Sequence, residues 1–307
     1  MKRDLLTVGD LTKEDIENIL KRSSLLKEKQ ERGETHCSLI GKSLGMFFEK
    51  ASTRTRVSFE VGIYQLGGQA IFLTYQDLQI GRGETIADTA RVLSRYIDCL
   101  VVRTFSQKVV EELARYATIP VINGLTDIHH PCQVLSDLFT IFEKKGRLNG
   151  LKLCYIGDGN NVANSLIEGA TRVGINLTLA CPDGYEPLKE IVREAIAEKG
   201  KGGSHIEILR DPLKAAEGAD ILYTDVWASM GQESEREKRL KVFSPYQVNS
   251  KIVQVAKPDV LVMHCLPAHR GEEITDEVID GKYSIVLDQA ENRLHTQKAI
   301  LEMLMTN

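Results

Sequence analysis

Short apolar runs rich in β-branched residues alternate with helical patterns along this 307-residue chain, an order that leaves few folds other than parallel α/β sheets. In the first half the strand candidates are SLGMFF (43–48), QAIFL (69–73) and DCLVVR (98–103). RVSFEVGIYQLGG reads as a helix, with Phe59 and Ile63 spaced for one face and Gly67 as its stop. TIADTARVLSRY and SQKVVEELARY read as two more. The second half restarts with LKLCYIGD (151–158), NLTLAC (176–181), HIEIL (205–209), DILYTD (220–225), VLVMHC (260–265) and YSIVLD (283–288). Between the halves lies EKKGRLNG (143–150), polar and glycine-bearing, and a helix starting at Pro131 leads into it. The expected fold class is therefore α/β: two domains, 1–145 and 146–290, each a mostly parallel β-sheet flanked by helices. The last helix, 291–307, is expected to return to the first domain.

Composition removes several functions. A net charge of −4 predicts no general attraction to nucleic acid or acidic membranes, so any anion site must be local. No stretch approaches the ~18 uninterrupted apolar residues of a membrane span, and the start has no apolar run of the signal-peptide kind. Six cysteines, none in a C-x-x-C pair, suggest reduced thiols and a cytoplasmic protein.

Two motifs mislead. GKS (41–43) would be a P-loop only with glycine at position 36, which is His36, and only after a strand instead of before one. Gly157-x-Gly159 follows a strand but lacks the third glycine, where Val162 stands, so it supports a nicotinamide site weakly. The pairs His264-Cys265 and His130/Cys132 raise a metal site or a nucleophile. Neighbours on a strand point to opposite faces, which argues against His264 and Cys265 sharing an ion. His130 and Cys132 have no further ligands at metal spacing.

The chemistry concentrates at strand ends, where open α/β sheets bind ligands. In FFEKASTRTRVSFE a strand ends and Ser52-Thr53-Arg54-Thr55-Arg56 enters a helix. A capping hydroxyl from Ser52 or Thr53, free first-turn N–H groups, the helix dipole and the fork of Arg54 or Arg56 together suit a dianion. Arg103 ends another strand, where an anion partner or a structural salt bridge would meet the cost of its charge. His130 and Gln133, at the start of a helix, suit recognition of a small carbonyl and amide. Asp225 ends a further strand and suits an ammonium group, followed by Ser229 and Met230 in a segment that could act as a lid.

Taken together, STRTR, VVRT, HPCQ, DVWASMGQE, HCLPAHRGEE and ENRLHTQ resemble the aspartate/ornithine carbamoyltransferase family over essentially the whole chain. SMG and HCLP are similar to its ornithine-using members. The resemblance implies an active site in the interdomain cleft and a homotrimer whose sites are completed by a neighbour's loop around QDLQIGRGE. It implies that carbamoyl phosphate is held by Ser52, Thr53, Arg54, Thr55, Gln79, Arg103, His130, Pro131, Cys132, Gln133, Cys265, Leu266 and Arg293. Ornithine would be held by Asn161, Asp225, Ser229 and Met230. Arg103, His130, Thr55 and Cys265 would be the catalytic set, with no cofactor and no metal. The amine could instead be putrescine or an acylated ornithine, and a dehydrogenase or a non-catalytic sensor of carbamoyl phosphate are the readings from other classes.

Overall fold

The computed structural model describes residues 2–74, 83–228 and 235–306, without the side chains of 198–202. The chain divides into two compact units, Met1–Glu143 with Glu291–Asn307, and Lys144–Ala290. Both are parallel sheets with helical crossovers.

In the first unit the strands are β1 (Ser43–Phe48), β2 (Gln69–Thr74), β3 (Cys99–Arg103) and β4 (Val121–Leu125). They lie in the order β2-β1-β3-β4, each pair parallel. Central β3 is buried at every residue, while edge strand β2 keeps partly exposed positions. Coverage on both faces explains why the central strands read as unbroken apolar runs. Strand β4 escapes the sequence reading because it contains Asn123 and Gly124. Asn123 is fully buried and donates through Nδ2 to the Leu6 carbonyl at 2.9 Å. The helices are α1 (Lys13–Glu31), α2 (Thr53–Gln65), α3 (Ile86–Leu93), α4 (Gln107–Tyr116) and α5 (Pro131–Lys145). Helix α1, also unread in the sequence, starts at a capping box in which Thr12 accepts from the Asp15 N–H.

Register decides what meets at the sheet edge. Phe48 lies opposite Arg103, and Arg103 opposite Leu125 after a one-residue shift. The turns that follow β1, β3 and β4 therefore emerge side by side.

The second unit has five parallel strands: β5 (Lys152–Ile156), β6 (Asn176–Ala180), β7 (Ile206–Leu209), β8 (Ile221–Thr224) and β9 (Leu261–His264). Their order is β7-β6-β5-β8-β9, so the winding reverses between β5 and β8. That reversal opens a crevice beyond the strand ends. Ile156, Thr224 and His264 are register partners in turn, which places the residues after them at one edge. The crossovers are α6 (Asn161–Val173), α7 (Lys189–Gly202), α8 (Pro212–Ala216), α9 (Arg236–Phe243), α10 (Ser250–Val255) and α11 (Asp276–Ile279).

The expected strand at 283–288 is not one. Ser284 makes an isolated bridge to Val262, and helix α12 (Val286–Met305) starts two residues later. A short buried apolar run has no periodicity that separates a strand from a first helical turn.

Gly159 is fixed by packing. A Cβ there would meet the Pro187 nitrogen at 2.2 Å and the Glu186 carbonyl carbon at 2.3 Å, both backbone. Gly159→Ala is expected to destabilise the second unit by about 1–3 kcal/mol. Trp227, the only tryptophan, is buried in this unit and stacks on Phe243 at 5.9 Å. Its fluorescence during urea unfolding measures the loss, and an unchanged midpoint would contradict the packing argument.

Candidate functional site

Each unit gathers its own array of polar side chains at its strand ends. In the first unit the array centres on the Thr55 hydroxyl, in the first turn of α2 and fully buried. Ser52 caps the helix: its Oγ accepts from the Thr55 N–H at 3.2 Å and donates to Thr55 Oγ1 at 3.1 Å. The N–H groups of Thr53 and Arg54 precede the first intrahelical bond and have no acceptor inside the helix. Two buried guanidiniums converge on the same hydroxyl. Arg293, from α12, donates through Nη2 at 2.8 Å, and Arg103, ending β3, through Nη1 at 3.4 Å.

Of the two arginines left open for the dianion cradle, Arg56 has partners within its own unit. Arg56 pairs with Glu60 at 3.0 Å and lies over the Phe72 ring at 3.7 Å. Gln133 is held by two neighbours. Its Oε1 accepts from Arg293 Nη1 at 2.9 Å and its Nε2 donates to Asp137 Oδ1 at 2.8 Å. With the amide engaged at both ends, Gln133 orients Arg293.

Burial sets the protonation states here. His130, beside Pro131 at the start of α5, is held well below the usual imidazole pKa by burial and then by the charges of Arg293 and Arg103. It is a neutral ring that can donate one N–H. The buried Cys132 thiol is pushed up to about 12, and its S–H donates to the Asn123 carbonyl at 3.4 Å. Cys132 is thus a packing residue at neutral pH, not a thiolate. Gln79 lies outside the described residues.

The second unit's array centres on Asp225, which follows β8 and is buried. Oδ1 accepts from the Val226 N–H at 2.8 Å and from the Cys265 thiol at 3.0 Å. Oδ2 accepts from Asn160 Nδ2 at 2.7 Å. Asn160 also caps α6, its Oδ1 accepting from the N–H groups of Val162 and Ala163. Asn161, the expected ligand, is the next residue and begins the helix. Ser229 and Met230 lie outside the described residues.

His264 and Cys265 do not oppose each other as strand alternation suggested. Strand β9 ends at His264, so the alternation stops there. One ligand-type atom from each of Asp225, His264 and Cys265 falls within 4.8 Å of the others. Even so, His264 has no nitrogen to spare for an ion: Nδ1 accepts from the Leu266 N–H at 2.9 Å and Nε2 meets Glu273 Oε1 at 2.9 Å. Asn160, Gln289 and Glu273 are members of this array that the sequence reading did not assign. Gln289 Oε1 accepts from the His264 N–H at 2.9 Å. Capping chemistry was the one available signal, and only for Asn160.

Residues 3–143 match the family model described as the aspartate/ornithine carbamoyltransferase carbamoyl-P binding domain. Residues 149–304 match its Asp/Orn binding domain. A protein of Thermococcus kodakarensis named ornithine carbamoyltransferase is 57% identical over 99% of this chain and 96% of its own length. One of Pyrococcus furiosus named ornithine carbamoyltransferase, anabolic, is 56% identical over the same shares. The solved ornithine carbamoyltransferase structure from Pyrococcus furiosus superposes with a TM-score of 0.96, covering 99% of this chain and 97% of that one.

Buried neutral histidines make the first unit sensitive to acid. Burial lowers His129 to about 4, against an ordinary value near 6.5. Between those values the unfolded chain binds a proton that the folded chain refuses. Stability is therefore full above about pH 6.5 and falls as pH drops towards 4, by at most about 1.4 kcal/mol per pH unit for this residue. Calorimetry of His129→Gln is expected to show a shallower acid decline than the unsubstituted protein; equal slopes would sink the assignment.

Proposed function

The chain belongs to the aspartate/ornithine carbamoyltransferase family, and from that premise we propose how its residues divide the reaction. The protein transfers the carbamoyl group of carbamoyl phosphate to the δ-amine of L-ornithine, releasing L-citrulline and phosphate. That is the carbamoyl-transfer step of arginine biosynthesis.

The observation that carries the assignment is the convergence of Arg103 and Arg293 on Thr55 at the capped start of α2. Phosphate is bound by the hydroxyls of Ser52, Thr53 and Thr55, the first amides of α2 and the Arg54 guanidinium, with Gln79 contributing. Helix N-termini and arginine forks suit this dianion. Arg103, the Thr55 hydroxyl and the N–H of neutral His130 surround the carbamoyl oxygen, while Pro131, Cys132 and Gln133 form the wall beside it. These donors strengthen their hold as the oxygen gains charge.

In the second unit, Asp225 takes the α-ammonium group of ornithine with Asn161, and Ser229 and Met230 take the α-carboxylate end. Cys265 sits beside the δ-amine, and the carbonyls of Cys265 and Leu266 accept from the carbamoyl NH₂. The amine lone pair attacks the carbamoyl carbon, a tetrahedral oxyanion forms, and the C–O bond to phosphate breaks. The proton that the attacking nitrogen loses is taken up by the departing phosphate. At a pKa near ~10.4 only about one amine in a few thousand is neutral at pH 7, so desolvation that lowers this value accelerates the reaction.

No cysteine nucleophile is required, since the Cys265 thiol is a donor to Asp225 and carbamoyl phosphate is already activated. The working assembly is a homotrimer in which a neighbour's loop bearing Gln79 completes each site, and the compartment is the cytoplasm. No helix among the described residues is long and apolar enough to cross a membrane.

A citrulline-forming assay with carbamoyl phosphate and a panel of amines tests the substrate. Ornithine is expected to turn over at least about 100-fold better than putrescine, an acylated ornithine or aspartate, the discrimination that unpaired polar groups impose. Turnover of another amine with none for ornithine would overturn the assignment. Cys265→Ser is expected to retain measurable turnover with a raised ornithine KM. A trapped carbamoyl thioester on Cys265 would restore the nucleophile reading.

A further inference from the structure

Leu266 is the one non-glycine residue with positive φ among the described residues, at 56°. An L-side chain in this region is strained and persists only where its surroundings impose it. Its surroundings identify what imposes it. The Leu266 N–H donates to His264 Nδ1 at 2.9 Å. A backbone N–H can only donate, so Nδ1 carries a lone pair and the ring proton sits on Nε2. That proton points at Glu273 Oε1, 2.9 Å away, which also accepts from the His269 N–H at 2.6 Å. His264 and Glu273 are both fully buried.

We infer that His264 and Glu273 are positioning residues that hold the Leu266 backbone in its reactive setting by fixing one imidazole tautomer. The inference rests on the carbamoyl-transfer reading, in which the Leu266 carbonyl receives the carbamoyl NH₂. A carboxylate is the side chain this task demands. In its ionised form it accepts only, which favours the ring proton on Nε2. A glutamine could turn its NH₂ towards Nε2, move the ring proton to Nδ1, and set two donors, Nδ1–H and Leu266 N–H, against each other. Neither His264 nor Glu273 reaches solvent. They act through the direction of one carbonyl.

The two ring nitrogens can be separated by substitution. An asparagine at 264 places its amide oxygen near Nδ1 and keeps an acceptor for Leu266. A glutamine places its amide near Nε2 and keeps the contact to Glu273 alone. The expected results are a kcat loss of roughly 100-fold for His264→Gln, the scale of a small misplacement at the reacting centre, with ornithine KM changed far less, and a substantial rescue of kcat in His264→Asn. Glu273→Gln is expected to follow His264→Gln.

Amide hydrogen exchange at Leu266, measured on the unliganded protein, gives a readout independent of turnover. Protection is expected to fall in His264→Gln and Glu273→Gln and to survive in His264→Asn. Trp227 emission confirms that each variant is folded; where His264→Gln does not fold, Glu273→Gln carries the test. Equal loss of kcat in the two His264 variants, or wild-type kcat and wild-type Leu266 protection in Glu273→Gln, would overturn the inference. If the unsubstituted protein made no citrulline, the functional reading would fail, while the exchange pattern would still test the tautomer lock.

Discussion

Parallel pairing brings the chemically active groups of each unit together. In an antiparallel sheet, successive strand ends emerge at opposite edges; here each helical crossover carries the chain back, so every strand ends at the same edge. Phe48, Arg103 and Leu125 are neighbours in one sheet, and Ile156, Thr224 and His264 in the other. From those positions Ser52 to Thr55, Arg103 and His130 come within reach of one another, as do Asn160, Asp225 and Cys265. Residues far apart in the chain, such as Phe48 and Arg103 or Ile156 and Thr224, meet because hydrogen-bond register leaves them nowhere else to go. Arg293 is the exception: it reaches Thr55 from the body of α12, not from a strand end.

Burial then determines which protonation states those groups hold. The His130 ring and the Cys132 thiol are kept neutral by the same loss of solvent. One becomes a donor that adds no charge, and the other loses its nucleophilicity. A motif that joins histidine and cysteine in five residues invites a reading as a reactive pair, yet desolvation removes the thiolate on which that reading depends.

The strand pattern was legible because central parallel strands are covered on both faces and must be apolar throughout; the span read for β1 coincides with the observed Ser43–Phe48. Residues at strand ends were legible for the related reason that charge is costly there without a purpose. Other features were not. Strand β4 hides behind a buried asparagine whose Nδ2 donates to the Leu6 carbonyl and to Gln107 Oε1. The run at 283–288 looks like a strand until Val286 begins a helix. The partners of site residues, Glu273 for His264 and Gln289 for its backbone, are contacts across a fold, and nothing in the local pattern of a glutamate or glutamine announces them.

Asn160 shows how one side chain can narrow what mutation may try. At a helix cap, asparagine, aspartate and serine are close to interchangeable. Here the other end of the amide donates to Asp225. Aspartate would cap α6 as well but would set a second negative charge against the first; serine would cap it but could not span the gap. A position that helix energetics alone would leave to drift is therefore restricted to one residue, and the restriction comes from a neighbour sixty-five positions away.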